Sequence, residues 1–198
     1  MRVLVVLAHP RPDSFNASVV QALTGGLEEA GHVVDTADLY AEGFRPELSA
    51  GDMAAFEAGG APQDVALYQE RVLRARGLAF VFPVWWFGQP AMLKGFFDRV
   101  FFENFAFRFA EDGRVQGLLD HPRALVINTA GANEMLYRSF RFDGPLKKVL
   151  DTWTLKMCGI EEVRHVMFHD VVNTTDAVRR GYLEKARTLG RTFFDSPV

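Results

Sequence analysis

Three short stretches of the chain carry residues that could do chemistry. The first is His9-Pro-Arg-Pro-Asp-Ser-Phe-Asn16, which runs into a predicted helix. The open N–H groups and positive end of a helix N-terminus favour an anion. Ser14 and Asn16 add side-chain donors, and His9 can supply another, so this loop reads as a phosphate cradle or, more plainly, as a Ser14 helix cap. It is neither a GxGxxG fingerprint nor a Walker loop, so no Rossmann dinucleotide or ATP site is signalled. The second stretch is Pro83-Val-Trp-Trp-Phe87, followed by Gly88 and Pro90. Any one of these aromatics could be core or interface; three together at a strand end point to a flat apolar ligand plus packing. The third is Asn128-Thr-Ala-Gly131. Small residues there would let backbone N–H groups approach a ring edge closely. Such donors would stabilise a ring that gains negative charge on reduction. An ordinary turn is the alternative.

These stretches must be positioned by the elements that precede them. Val3–Ala8 is a continuous apolar run, the pattern of a strand buried on both faces. A helix follows from Ser14, with Val19, Val20, Leu23, Leu27 and Ala30 on one face and Gly31 ending it. Gly25 and Gly26 weaken that helix by about 1 kcal/mol each, so packing must hold it. His32–Asp38 reads as a second strand, Tyr40–Pro62 as a polar Gly-rich stretch, and Asp64–Arg76 as a charged helix. Gly77–Phe82 is a third strand and Pro90–Phe102 a helix in which Lys94 and Asp98 form a surface pair. Strands at Ala124–Thr129 and Glu162–Phe168 flank a helix at Pro145–Lys156. A last helix, capped by Thr174 or Thr175, aligns Val178, Tyr182, Ala186, Leu189 and Phe193. Five alternations of strand and helix imply an α/β fold: a doubly wound five-stranded parallel sheet of order 2-1-3-4-5, with helices on both faces, in one domain over 1–198. Ligands of such sheets bind outside the carboxyl ends of the strands, where all three stretches lie.

Composition narrows the classes. The chain has 198 residues, 48% hydrophobic and 24% charged, with a formal net charge of −3. No basic stripe marks a nucleic-acid surface. The 18 Phe and 3 Trp exceed what one small core needs, which points to an aromatic-lined site or an apolar interface. A single cysteine, Cys158, excludes an intrachain disulfide and any CxxC pair, and reads as a buried side chain in a cytoplasmic protein. Val3–Ala8 is too short for a signal-peptide core, and Leu78–Phe87, broken by Pro83, is too short to cross a bilayer, so no membrane insertion is expected. His165 and His169 cannot share one helical face, so no metal is expected.

The motifs resemble the NAD(P)H:quinone oxidoreductase family of flavoproteins, the DT-diaphorase type, over roughly Val3 to Phe194. The most specific parts are H-P-x-P-x-S-F-N at His9–Asn16, F-P-x-x-W-F-G-x-P-A-x-L-K-G-x-x-D-R-V at Phe82–Val100, and Glu103–Phe109. The resemblance implies a flavodoxin-like fold and a bound FMN or FAD. His9, Ser14, Phe15 and Asn16 would hold the flavin phosphate region. Pro83, Val84, Trp86 and Phe87 would line the ring and ribityl chain, and Thr129, Ala130 and Gly131 would meet the pyrimidine edge. Phe107 and Phe109 would form a substrate wall over the flavin of a partner subunit, in a homodimer. The family's Thr-Thr-Gly-Gly turn reads Asn128-Thr129-Ala130-Gly131 here. Trp85 replaces an expected glutamine. Tyr137 takes the place of a catalytic tyrosine, whereas Phe142 or Asp143 falls where mammalian members have histidine. Phe107 and Phe109 lack the hydroxyls of those members.

The resulting expectation is a two-electron enzyme: NADH or NADPH reduces the flavin, and a quinone or similar flat acceptor reoxidises it from the same slot. A regulatory flavin- and nucleotide-binding subunit of a membrane transporter is the competing reading. A one-electron carrier is disfavoured by the weak net charge, and a receiver domain by the lack of acidic residues after the first strand.

Overall fold

The computed structural model describes residues 1–195. Its element order is β1 (Arg2–Leu7), α1 (Phe15–Glu29), β2 (Val33–Asp38), α2 (Ala50–Glu57), α3 (Gln63–Arg74), β3 (Gly77–Pro83), α4 (Ala91–Val100), β4 (Phe107–Phe109), β5 (Val115–Gly117), β6 (Arg123–Thr129), α5 (Glu134–Phe140), α6 (Asp143–Lys147), β7 (Glu162–Phe168) and α7 (Asp176–Thr192). A π-helical stretch, Lys148–Leu155, continues α6. The main sheet runs β2-β1-β3-β6-β7, every neighbour parallel, which is the expected order.

Strand periodicity sorts the core into two layers. Leu4 and Val6 of β1 join Phe80 and Phe82 of β3 beneath α3 and α4. Val3, Val5 and Leu7 face the other way, with Ala79 and Val81, beneath α1 and α7. All seven residues of β3 and of β6 are buried, as their apolar runs require. The glycines that weaken α1 locally are explained by α7. A Cβ on Gly26 would stand 2.0 Å from the Arg187 carbonyl oxygen, and one on Gly190 would stand 2.4 Å from that of Leu23. The two helices therefore approach through their backbones.

Three elements depart from expectation. The polar stretch Tyr40–Pro62 contains α2, closed by a reciprocal capping box between Ser49 and Asp52. Asp52 also meets Arg99 at 2.9 Å, and Asp64 meets the same guanidinium at 2.9 Å. Arg99 is only 2% exposed, so burying it demands both carboxylates, and this partnership spans 47 residues. The β4–β5 hairpin and α5 form in stretches to which the sequence reading assigns no helix or strand. Thr175 provides the cap of α7, its Oγ1 accepting from Val178 N–H at 3.4 Å. Cys158 is buried, and loss of solvent pushes its thiol up to about 12. No helix among the described residues is long and apolar enough to cross a membrane.

Candidate functional site

The loops after β1, β3 and β6 converge at one end of the sheet. Ser14 is extended and buried, and its Oγ accepts from Ala17 N–H at 3.2 Å. The N–H groups of Phe15 and Asn16 have no acceptor among the described residues. They form the open helix end that an anion requires. Asn16 departs from its expected part as a donor to ligand. Its Nδ2 donates to Thr129 Oγ1 at 3.0 Å, and both residues are buried. This pair clamps the first loop to the third across 113 residues.

His9 is held in one tautomer. The N–H of Arg11 donates to His9 Nδ1 at 3.1 Å, so the neutral ring carries its proton on Nε2. Partial burial holds the imidazole below its ordinary range, which keeps that form at neutral pH. Arg11 and Asp13 form an exposed bidentate pair at 3.1 and 3.0 Å beside it.

The aromatic loop is a tight hairpin. Trp85 and Gly88 exchange two backbone bonds, each 3.1 Å. Between them Trp86 and Phe87 have φ of 49° and 58°. Two successive left-handed residues suit glycine or asparagine, and a side chain there costs roughly 1–2 kcal/mol per residue. Strain of this kind concentrates at functional positions. Neither Trp86 nor Phe87 N–H has an acceptor among the described residues. The Trp86 side chain packs on nothing and is 97% exposed.

In the third loop the open donor is a different one from that expected. The N–H of Ala130 donates to Phe168 O at 2.8 Å, and its carbonyl accepts from Val171 N–H at 3.1 Å. Both backbone groups of Ala130 thus hold the loop after β7. The N–H left without an acceptor among the described residues is that of Gly131.

A cavity of about 430 Å³ brings together His9, Ser14, Phe15, Asn16, Pro83, Val84, Thr129 and Gly131. Trp86, Phe87 and Ala130 do not line it. Trp85, to which the resemblance assigned no role, does; its ring centroid lies 6.0 Å from that of His9. Val171 and Val172, after β7, form a further wall that the motifs did not reveal.

Tyr137 is buried beside the aromatic loop, with ring centroids at 6.1 Å to Phe87 and 5.1 Å to His169. Burial raises its phenol, so it stays protonated at neutral pH. Phe142 packs on Phe87 at 4.1 Å; the side chain of Asp143 lies outside the described set. The sequence offers His169 only as a metal ligand. The signal that could have placed it here is its position just past the carboxyl end of a strand. Phe107 lines a separate cavity of about 210 Å³, with Trp153, and Phe109 stands 58% exposed on the β4–β5 hairpin. No group of three or more His, Cys, Asp or Glu among the described residues is placed to hold a metal ion.

A family model described as flavodoxin-like fold matches residues 1–189. The chain belongs to that family. It is 33% identical to an NAD(P)H oxidoreductase of Haemophilus influenzae over 94% of this chain and 92% of that one. It is 30% identical to NAD(P)H dehydrogenase [quinone] 1 of Cavia porcellus, over 90% of this chain and 72% of that one. Among solved structures, the NAD(P)H:quinone oxidoreductase of Methanothermobacter marburgensis superposes with a TM-score of 0.90 at 33% identity, covering 100% and 99% of the two chains.

Proposed function

We propose that the protein is a flavin-dependent NAD(P)H:quinone oxidoreductase. The observation that carries this reading is the convergence of three loops on one cavity with unsatisfied backbone donors at both ends. The relatives' names agree with it and favour an enzyme over a transporter subunit. When bound, FMN or FAD supplies two-electron transfer from NADH or NADPH to a quinone or similar flat acceptor. The chain supplies the rest. The start of α1 and His9 Nε2–H hold the phosphate. Pro83, Val84 and Trp85 wall the cavity, while the strained turn at Trp86–Phe87 and Gly131 N–H face the edge that gains charge. Tyr137, kept neutral and backed by His169, is placed to donate a proton to a reduced acceptor. Trp86, Phe109, Phe140 and Trp153, all exposed, would be covered in a homodimer, with Phe107 and Phe109 closing the partner's slot. A cytoplasmic location suits the lone buried thiol.

The purified protein should be yellow, release FMN or FAD identifiable by mass, and oxidise NADH or NADPH with menadione at steady state. A colourless protein that cannot be reconstituted with either flavin overturns the proposal. Light scattering should give twice the chain mass; a monomer at micromolar concentration removes the shared-site reading.

A further inference from the structure

A second cleft, of about 410 Å³, opens between α5, the edge of the sheet and α7. It is polar, and the strand that forms its floor, β7, is the last in the sheet. Glu162 N–H donates to Pro122 O at 3.0 Å, and Ala130 N–H donates to Phe168 O at 2.8 Å. In a parallel pair these bonds recur evenly along the strands, so residues 162, 164, 166 and 168 turn their backbone groups to β6. His165 and Met167 therefore present their N–H groups to the open edge, and both line the cleft.

The side chains around this edge are mostly cationic and hydrogen-bonding, with Glu134 the carboxylate among the lining residues. Lys185 of α7 lines the cleft with no carboxylate at ion-pair distance among the described residues. Arg138 of α5 lies opposite, on the surface; its one carboxylate partner, Glu134, is on its own helix at 2.7 Å. The His165 side chain is 3% exposed, with Nδ1 2.7 Å from Asp151 Oδ1. The carboxylate can only accept, so Nδ1 carries the proton. His165 Nε2 is buried and has no hydrogen-bond partner. The chain thus leaves open two edge N–H groups and an unpaired ammonium at one cleft, with the His165 Nε2 lone pair as an acceptor. The donors match the oxygens of a phosphate, and the imidazole acceptor matches the hydrogen of its singly protonated form.

The cleft adjoins the flavin site through Tyr137, whose ring both packs on Phe87 and lines the cleft. Under the quinone oxidoreductase reading, on which this step rests, a pyridine dinucleotide must occupy the ring end. NADPH differs from NADH by one phosphate monoester at the far end of the molecule. We propose that this cleft binds a phosphate group, that of the 2′-phosphate of NADPH, and so selects NADPH over NADH.

Two measurements test it. Calorimetric titration of the flavin-loaded protein with adenosine 2′,5′-bisphosphate, 5′-AMP and inorganic phosphate requires no turnover. The bisphosphate should bind at least 10-fold tighter than 5′-AMP, and Lys185→Glu, an exposed change, should abolish that difference. In steady state, the kcat/KM ratio of NADPH to NADH should exceed 10 and fall at least 10-fold in Lys185→Glu. Equal binding of bisphosphate and 5′-AMP overturns the proposal. Phosphate binding that depends on Lys185, together with equal use of the two nucleotides, assigns the cleft to free phosphate and overturns the nucleotide assignment. Absence of any NAD(P)H oxidation sinks the enzymatic reading instead, and leaves the titration to decide the cleft.

Discussion

The two ends of the proposed flavin cavity are built differently. At the phosphate end, side chains satisfy one another within the protomer: Ser14 caps α1, Asn16 is clamped to Thr129, and His9 is fixed by Arg11 N–H. At the ring end, the backbone is strained and the aromatics are exposed. Trp86 and Phe87 hold left-handed conformations with their N–H groups open. The first end is finished by one chain, and the second is poised for something that is not part of it. Strain at Trp86 has no internal repayment visible in packing, because its ring touches almost nothing, whereas Phe87 packs on Phe142. The contrast teaches that folding alone completes the phosphate end and leaves the ring end open to whatever binds there under the proposed function.

The strongest way to break this comparison is at the clamp. Asn16→Ala leaves the buried Thr129 hydroxyl without its partner, and should cost about 1–3 kcal/mol in urea-induced unfolding of the flavin-free protein. Flavin retention should fall with it. Ser14→Ala removes the cap and should cost about 1 kcal/mol by the same measurement, with a further loss of affinity for FMN. Trp86→Gly should go the other way. Glycine tolerates the left-handed turn, so the flavin-free protein should gain up to about 1 kcal/mol, while flavin retention and quinone turnover decline. A stability loss there would show that the Trp86 ring is packed in the assembled protein, and would move the ring end into the finished class.

The smallest effect expected is in pH dependence. His9 titrates below its ordinary value because burial disfavours its charged form. The unfolded chain therefore binds more protons in the window below 6.5, and stability falls as pH drops through that window. The contribution is fully present above 6.5 and gone once pH is below the folded-state value. His32 and His121 are depressed too, also by burial, so the wild-type melting temperature should fall on acidification. His9→Gln should remove only part of that slope. An unchanged slope would mean that the other two histidines carry it.

Much of this molecule was legible in its residues, for reasons of range. Apolar runs at Val3–Ala8 and Gly77–Phe82 read as strands covered on both faces, and alternation with amphipathic helices then makes a doubly wound parallel sheet the leading candidate. Ser14 and Thr175 announce helix starts because capping is settled within three residues. The loops at the strand ends followed from that topology. α2 is hard to read because its 8 residues fully bury no apolar side chain; the residue it buries is Asp52, recruited by Arg99 from far along the chain.

Within the site, the residue types were evident from sequence and their duties were not. Asn16 reads as a free donor until Thr129 is brought against it. Ala130 reads as a donor to ligand until Phe168 takes its N–H, leaving Gly131. Trp85 enters the cavity only because β1 and β3 end side by side, and His169 arrives behind Tyr137 only because β6 and β7 do. Pattern and capping act over a few residues, so the sequence alone determines them. Which polar group stays open depends on partners dozens of residues away, and only the tertiary structure decides that.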